Sequence, residues 1–262
     1  TILDFAQKHI DAGTSLSKIC YVTHTCAMAA EGTHRLCKKT NTQIKPPYFG
    51  TFHAVCLKLI TQNGIFVTVM GSKQYSEFMK EESIDYNSLE HKKARENILN
   101  HSVHYYQNLG NKYISFYSWI RLTQKDKQTS SQIRQAWAQW DQGENWSELP
   151  QRMTPDIFIQ KYEEYKHKEK CIDYVDMLSI VYEEKLHPPV DVLFFDEFQD
   201  VGCLQYEIFK FWSERIDTVY FAGDENQSIY GFIGARAELF LNAPCDEEVF
   251  LETTYRCPEE HI

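Results

Sequence analysis

Residues 192–200 read VLFFDEFQD. Four apolar residues, Val192, Leu193, Phe194 and Phe195, lead into the adjacent carboxylates Asp196 and Glu197, and then into Phe198, Gln199 and Asp200. An unbroken apolar run this short predicts a strand buried on both faces of a parallel sheet. Asp196 and Glu197 then fall at its carboxyl end, where open α/β sheets bind their ligands. Two acids in that place suit a metal ion and an activated water. On these residues alone a solvated acidic turn after a strand stays open as the alternative.

Working outward, a second apolar run at 218–222 ends in GDENQSIYGFIGA (223–235), and a third at 249–251 opens LETTYRC (251–257). Upstream lie YVTHTCAMAAEGTHRL (21–36), GTFHAVCLKLI (50–60) and IDYVDML (172–178). Together these segments resemble the UvrD/Rep/PcrA group of superfamily 1 DNA helicases. DEFQD with Gln205 downstream is similar to that group's Walker B segment. GDENQSIYGFIGA resembles its GDxxQSIYxFRGA, and LETTYRC its LxxNYRS. The upstream segments resemble its VTFTNKAAxEMxxRL, GTFHSFxxxIL and DFDDLL. All six occur in the family's order, spread over most of the chain except its middle.

The 262 residues, 43% hydrophobic, suffice for a full core and a second smaller one. No apolar run approaches the roughly 18 residues of a membrane span, and the amino terminus lacks signal-peptide character. A cytoplasmic protein without a membrane partner is expected. Eight cysteines carry no CxxC pair. They read as reduced thiols rather than a disulfide framework or a metal site. A formal charge of −10 argues against a protein that coats nucleic acid generally. It does not exclude a motor that grips a single strand in a narrow groove by stacking.

A first helix is expected from Ile2 to Ala12 with Gly13 as its stop, a β-prone run from Ile19 to Val22, and helices over 27–37 and 52–60. From Gly71 to Lys170 aromatics recur at helical spacing without strand alternation, and they read more readily as packing residues than as a base-stacking platform. The chain therefore divides into a first part of an α/β lobe (1–70), a mostly helical insertion (71–170) and the rest of the lobe (171–262). The resemblance implies a RecA-like P-loop NTPase fold with a mostly parallel sheet. The family's phosphate-binding loop precedes its first helix, which TILDFAQKHI resembles. Thr1 is thus expected at or within a few residues of that loop's last Thr. A second RecA-like lobe is expected beyond Ile262, making this chain one motor lobe of a larger enzyme that cannot close an ATP site alone.

The resemblance implies ATP and Mg2+ as cofactors, with Asp196 as the metal partner and Glu197 as general base. Gln199 and Asp200 are read either as couplers to neighbouring motifs or as turn residues. Gln227 is matched to a phosphate-sensing amide, a role that suits a neutral donor; capping a turn is the plainer possibility. Arg256 matches an arginine aimed at the terminal phosphate, as a planar permanent cation would be. Tyr255 matches a tyrosine stacked on adenine. The family's Asn and Ser around that pair are Thr254 and Cys257 here.

For single-stranded and partly duplex DNA the matching positions are Thr23, His24, Thr25, Thr51, Phe52, His53, Tyr230 and Phe232. His24 stands at an aromatic position, able to stack on a base, and equally able to be a satisfied polar residue. Phe52 could equally be core. The family's NK after the first triplet is Cys26 and Ala27, and its FRGA arginine is Ile233, so backbone contact is lost there or displaced to Arg236. The implied function is ATP-dependent translocation on single-stranded DNA with unwinding, usually 3′ to 5′ in this family. The alternative is a non-catalytic nucleic-acid-binding or scaffold subunit on the same fold. A nuclease built on the acidic cluster lacks any other matching motif.

Overall fold

The structure is a computed structural model and describes residues 2–41, 45–89, 91, 108–123, 129–140, 149–228 and 235–250. Four strands form a parallel sheet: β1 (Ile19–Thr23), β2 (Tyr48–Thr51), β5 (Val192–Phe195) and β6 (Thr218–Phe221), in the order β2-β1-β5-β6. Tyr21 pairs with Phe49 on one side and with Phe194 on the other. The chain leaves β1 towards β2 and later returns to β1's other edge as β5. Strand order reverses there, and the crevice at such a switch point is where α/β sheets take ligands.

Period-two alternation sends side chains to both faces. Cys20, Val22, Leu193 and Phe195 pack into one cluster with α3 (Phe52–Gln62), α8 (Tyr174–Glu183) and α9 (Cys203–Ser213). Ile19, Tyr21, Val192 and Phe194 face α1 (Ile2–Asp11) and α2 (Cys26–Lys39). Every residue of β5 is buried, so the continuous apolar run is the signature of a strand with no wet face. Gly13, at φ +99°, follows α1 as its stop.

A short parallel pair, β3 (Thr68–Val69) with β4 (Cys171–Ile172), joins the two ends of the middle segment. Between them the described residues form α4 (Ser72–Glu81), α5 (Leu109–Thr123), α6 (Ser130–Trp140) and α7 (Pro155–Glu169). These helices share a separate aromatic-rich cluster that includes Phe78, Tyr113, Phe116, Trp137, Phe158 and Tyr162. The described aromatics of this segment therefore pack on one another.

Val249 and Phe250 are exposed and belong to no strand, and Leu251 lies outside the described residues. β6 stands at the sheet's edge, and among the described residues no strand pairs with its outer side. A last short helix, α10 (Ala237–Leu241), follows it. Every described cysteine is a free thiol, and among the described residues no helix is long and apolar enough to cross a membrane.

Candidate active site

The backbone sets the two acids apart. Asp196 continues the strand, its N–H donating to Val22 O at 2.9 Å. Glu197 then turns left-handed, with φ 59° and ψ 41°. A non-glycine residue held there is strained, a state that persists where the surroundings impose it. A 3₁₀ turn, Phe198–Asp200, follows, anchored by Phe198 N–H to Ala222 O at 2.8 Å.

Both carboxylates have partners. The Tyr21 hydroxyl donates to Asp196 Oδ2 at 2.8 Å, and the Glu197 N–H donates to Asp196 Oδ1 at 3.2 Å. Burial, and then the neighbouring Asp196, push the Tyr21 phenol upward, so it stays a donor. Gln199 is buried and donates its amide to Glu197 Oε2 at 2.8 Å. Its carbonyl accepts the Asp224 N–H at 3.2 Å, while Gln227 Nε2 donates to Asp224 Oδ2 at 2.6 Å. A continuous chain of contacts thus runs from Glu197 through Gln199 and Asp224 to Gln227. Gly223 permits it: a Cβ there would stand 2.5 Å from Gln199 Oε1. Gln227 itself is exposed, with its amide turned to Asp224 in this conformation.

The donor set fits a magnesium ion shared with nucleotide phosphates. Among the described residues no cluster of three or more His, Cys, Asp or Glu is placed to cage an ion. Magnesium typically takes one or two carboxylates, with phosphate oxygens and water completing its shell. Asp196, at the end of β5, is a carboxylate of the kind such a shell uses, with Glu197 beside it.

The expected DNA-facing residues separate. Thr25 and Thr51 cap α2 and α3, their hydroxyls accepting Met28 N–H and Ala54 N–H at 3.2 Å each. His53 is half-buried with its ring edge-on to Tyr174. Two residues do not face outward. Phe52 is 1% exposed and stacks between Phe195 and Trp212, because the first residue of α3 points at the sheet. Thr23 is fully buried, its hydroxyl directed at Met28 Sδ. The His24 ring leans on Phe195, and its Nε2 is buried without a hydrogen-bond partner. Burial, and then His53, lower its pKa to about 4. Thr1, Tyr230, Phe232, Ile233, Tyr255 and Arg256 lie outside the described residues.

Sequence reading missed Tyr21 and Gly223. Tyr21 reads as one more apolar strand residue. A signal for it exists in Gly32, inside α2, where glycine is unfavourable by about 1 kcal/mol relative to alanine.

Comparison with known proteins agrees with this fold. A family model described as the UvrD/REP helicase N-terminal domain matches residues 1–247. A probable DNA helicase II homolog of Mycoplasma capricolum is 25% identical over 243 residues, 86% of this chain and 30% of that protein. DNA helicase II of Escherichia coli is 31% identical over 120 residues, 41% of this chain and 17% of that protein. DNA helicase II of Haemophilus influenzae is 29% identical over 125 residues, 43% of this chain and 17% of that protein. The chain thus spans less than a third of each of these relatives.

Proposed function

The chain belongs to the UvrD/REP helicase N-terminal domain family, and we propose that in its full-length protein it is the first motor lobe of an ATP-dependent DNA helicase. The observation that carries this reading is the position of Asp196 and Glu197 at the carboxyl end of β5, beside the β1 switch point. Magnesium, when bound with ATP, would neutralise phosphate charge and orient the terminal phosphoryl group. Asp196 would hold it, and Glu197 would take the proton of the attacking water. Gln199 would orient Glu197, and through Asp224 it would link that base to Gln227. Thr1 and Tyr255 are proposed for nucleotide contact and Arg256 for the terminal phosphate.

The same reading places single-stranded DNA along the carboxyl edge of the sheet. Thr25, Thr51 and His53 stand there beside His24, and Tyr230 and Phe232 are assigned to the same groove. Hydroxyls and backbone donors position a phosphate backbone, and aromatics stack on bases. Movement from 3′ to 5′, a helical subdomain over 71–170 and a cytoplasmic setting belong to this proposal.

The test is the full-length protein with magnesium and ATP, with and without single-stranded DNA, followed by strand displacement on a tailed duplex. ATP turnover stimulated by the single strand, together with displacement from a 3′-tailed substrate, is expected. Nucleotide and DNA binding without turnover would replace the motor with a scaffold.

A further inference from the structure

Tyr21 and Gly32 form a matched pair beside the first acid. β1 and β5 run in register with Tyr21 opposite Phe194, so Asp196, two residues beyond Phe194, projects from the same face of the sheet as Tyr21. The phenol reaches forward and donates to Asp196 Oδ2 at 2.8 Å. The Glu197 N–H holds Oδ1. A carboxylate has about four acceptor sites, so two such bonds orient it without exhausting it. The ring lies 2% exposed, in contact with Phe49 at a centroid distance of 5.4 Å.

Its seat exists because residue 32 has no side chain. A Cβ on Gly32 would stand 2.6 Å from Tyr21 Cε1, 2.8 Å from Cζ and 2.9 Å from the hydroxyl oxygen. Real Cβ atoms do not approach so closely, and the ring, packed on β1, has little room to retreat. A glycine inside a helix is destabilising relative to alanine. At position 32 it is the residue that leaves the hydroxyl in place.

We propose that Tyr21 is a positioning residue for the metal-holding carboxylate: its hydroxyl fixes the plane of Asp196, and Gly32 is the gap in α2 that lets it do so. This rests on the reading of Asp196 as the magnesium partner. Groups that hydrogen-bond a metal's ligands set ligand orientation, and their loss weakens metal binding by about 10- to 100-fold.

The experiment uses the full-length protein and Mn2+ as probe, counted by the electron paramagnetic resonance of the free ion in the presence of saturating ADP. Asp196→Ala should abolish the tight Mn2+ site, and if it does not, the reading of Asp196 fails. Tyr21→Phe keeps the ring and should weaken Mn2+ at least about tenfold, with ADP affinity in EDTA changed less than about twofold. Gly32→Ala should weaken Mn2+ in the same direction. Combined with Tyr21→Phe it should add nothing further to the metal loss, since both act through one hydroxyl. A merely structural role would lower the unfolding temperature and leave Mn2+ affinity at the wild-type value. That result in Tyr21→Phe overturns the inference. ATP turnover, measured separately, judges the motor reading: a wild type that binds Mn2+ with ADP but hydrolyses nothing contradicts the function and leaves the Tyr21 result standing.

Discussion

Gln199 donates its side-chain amide to Glu197 Oε2 at 2.8 Å, from a position where its own carbonyl accepts the N–H of Asp224. One buried amide therefore ties the acid after β5 to the loop after β6. Gln199→Ala in the full-length protein should lower ATP turnover by about 10- to 100-fold, less than the 10²–10⁴ of a general base itself, while nucleotide affinity stays near wild type. Gly223→Ala should act in the same direction, because its Cβ would stand 2.5 Å from Gln199 Oε1 and 3.0 Å from Gln199 N. Parallel measurement of turnover and nucleotide affinity checks both. Equal losses in affinity and turnover would mean that Gln199 holds the fold and not the base.

A second buried polar centre joins the helical segment to the sheet lobe. Lys166 on α7, 4% exposed, donates to Asp173 at 3.0 Å, to Asp176 at 2.7 Å and to the Tyr117 hydroxyl at 2.7 Å. Arg121 on α5 reaches Glu163 and, at 3.0 Å, Ser179 of α8. Burial alone would lower the Lys166 pKa, but Asp173, Asp176 and Glu163 together outweigh it and raise it. Lys166→Met leaves acids buried without their cation and should cost about 3–5 kcal/mol. Burial, and then Asp173, already raise Asp176, and losing Lys166 raises it further. A carboxyl whose folded pKa lies above its unfolded value is penalised at neutral pH and relieved as pH falls. The deficit of Lys166→Met should therefore shrink on acidification, which unfolding midpoints at pH 7 and pH 5 would reveal.

His24 gives the opposite sign. Its folded pKa of about 4 lies below the ordinary 6.5, so between those values the unfolded chain binds a proton that the folded chain refuses. Stability is whole above about pH 6.5, falls as pH drops towards about 4, and then levels off, with a loss on the order of 3 kcal/mol. His24→Phe, which keeps a ring against Phe195, should flatten this part of the profile. Denaturation midpoints of both proteins across pH 7 to 4 provide the comparison.

The sheet was legible because β5 is buried on both faces, which makes an apolar run of four residues unambiguous beside two acids. The position of Asp196 and Glu197 was legible for the same reason: once the run is a strand, the next two residues stand at its carboxyl end. Phe52 was not, since a motif preserves residue types and says nothing of which side of α3 meets Trp212. The Tyr21 contact to Asp196 spans 175 positions of chain, and the Lys166 centre draws on three helices. Contacts of that kind arise from packing and leave no local periodicity in the sequence.

The most direct test of the site is Glu197→Gln in the full-length protein, with nucleotide affinity and steady-state turnover measured on the same preparation. The amide keeps the shape of the side chain but cannot take a proton from water. Affinity should stay within a fewfold of wild type while turnover falls by about 10²–10⁴. Turnover close to wild type would remove Glu197 from the chemistry and contradict the placement of the hydrolytic centre at the end of β5.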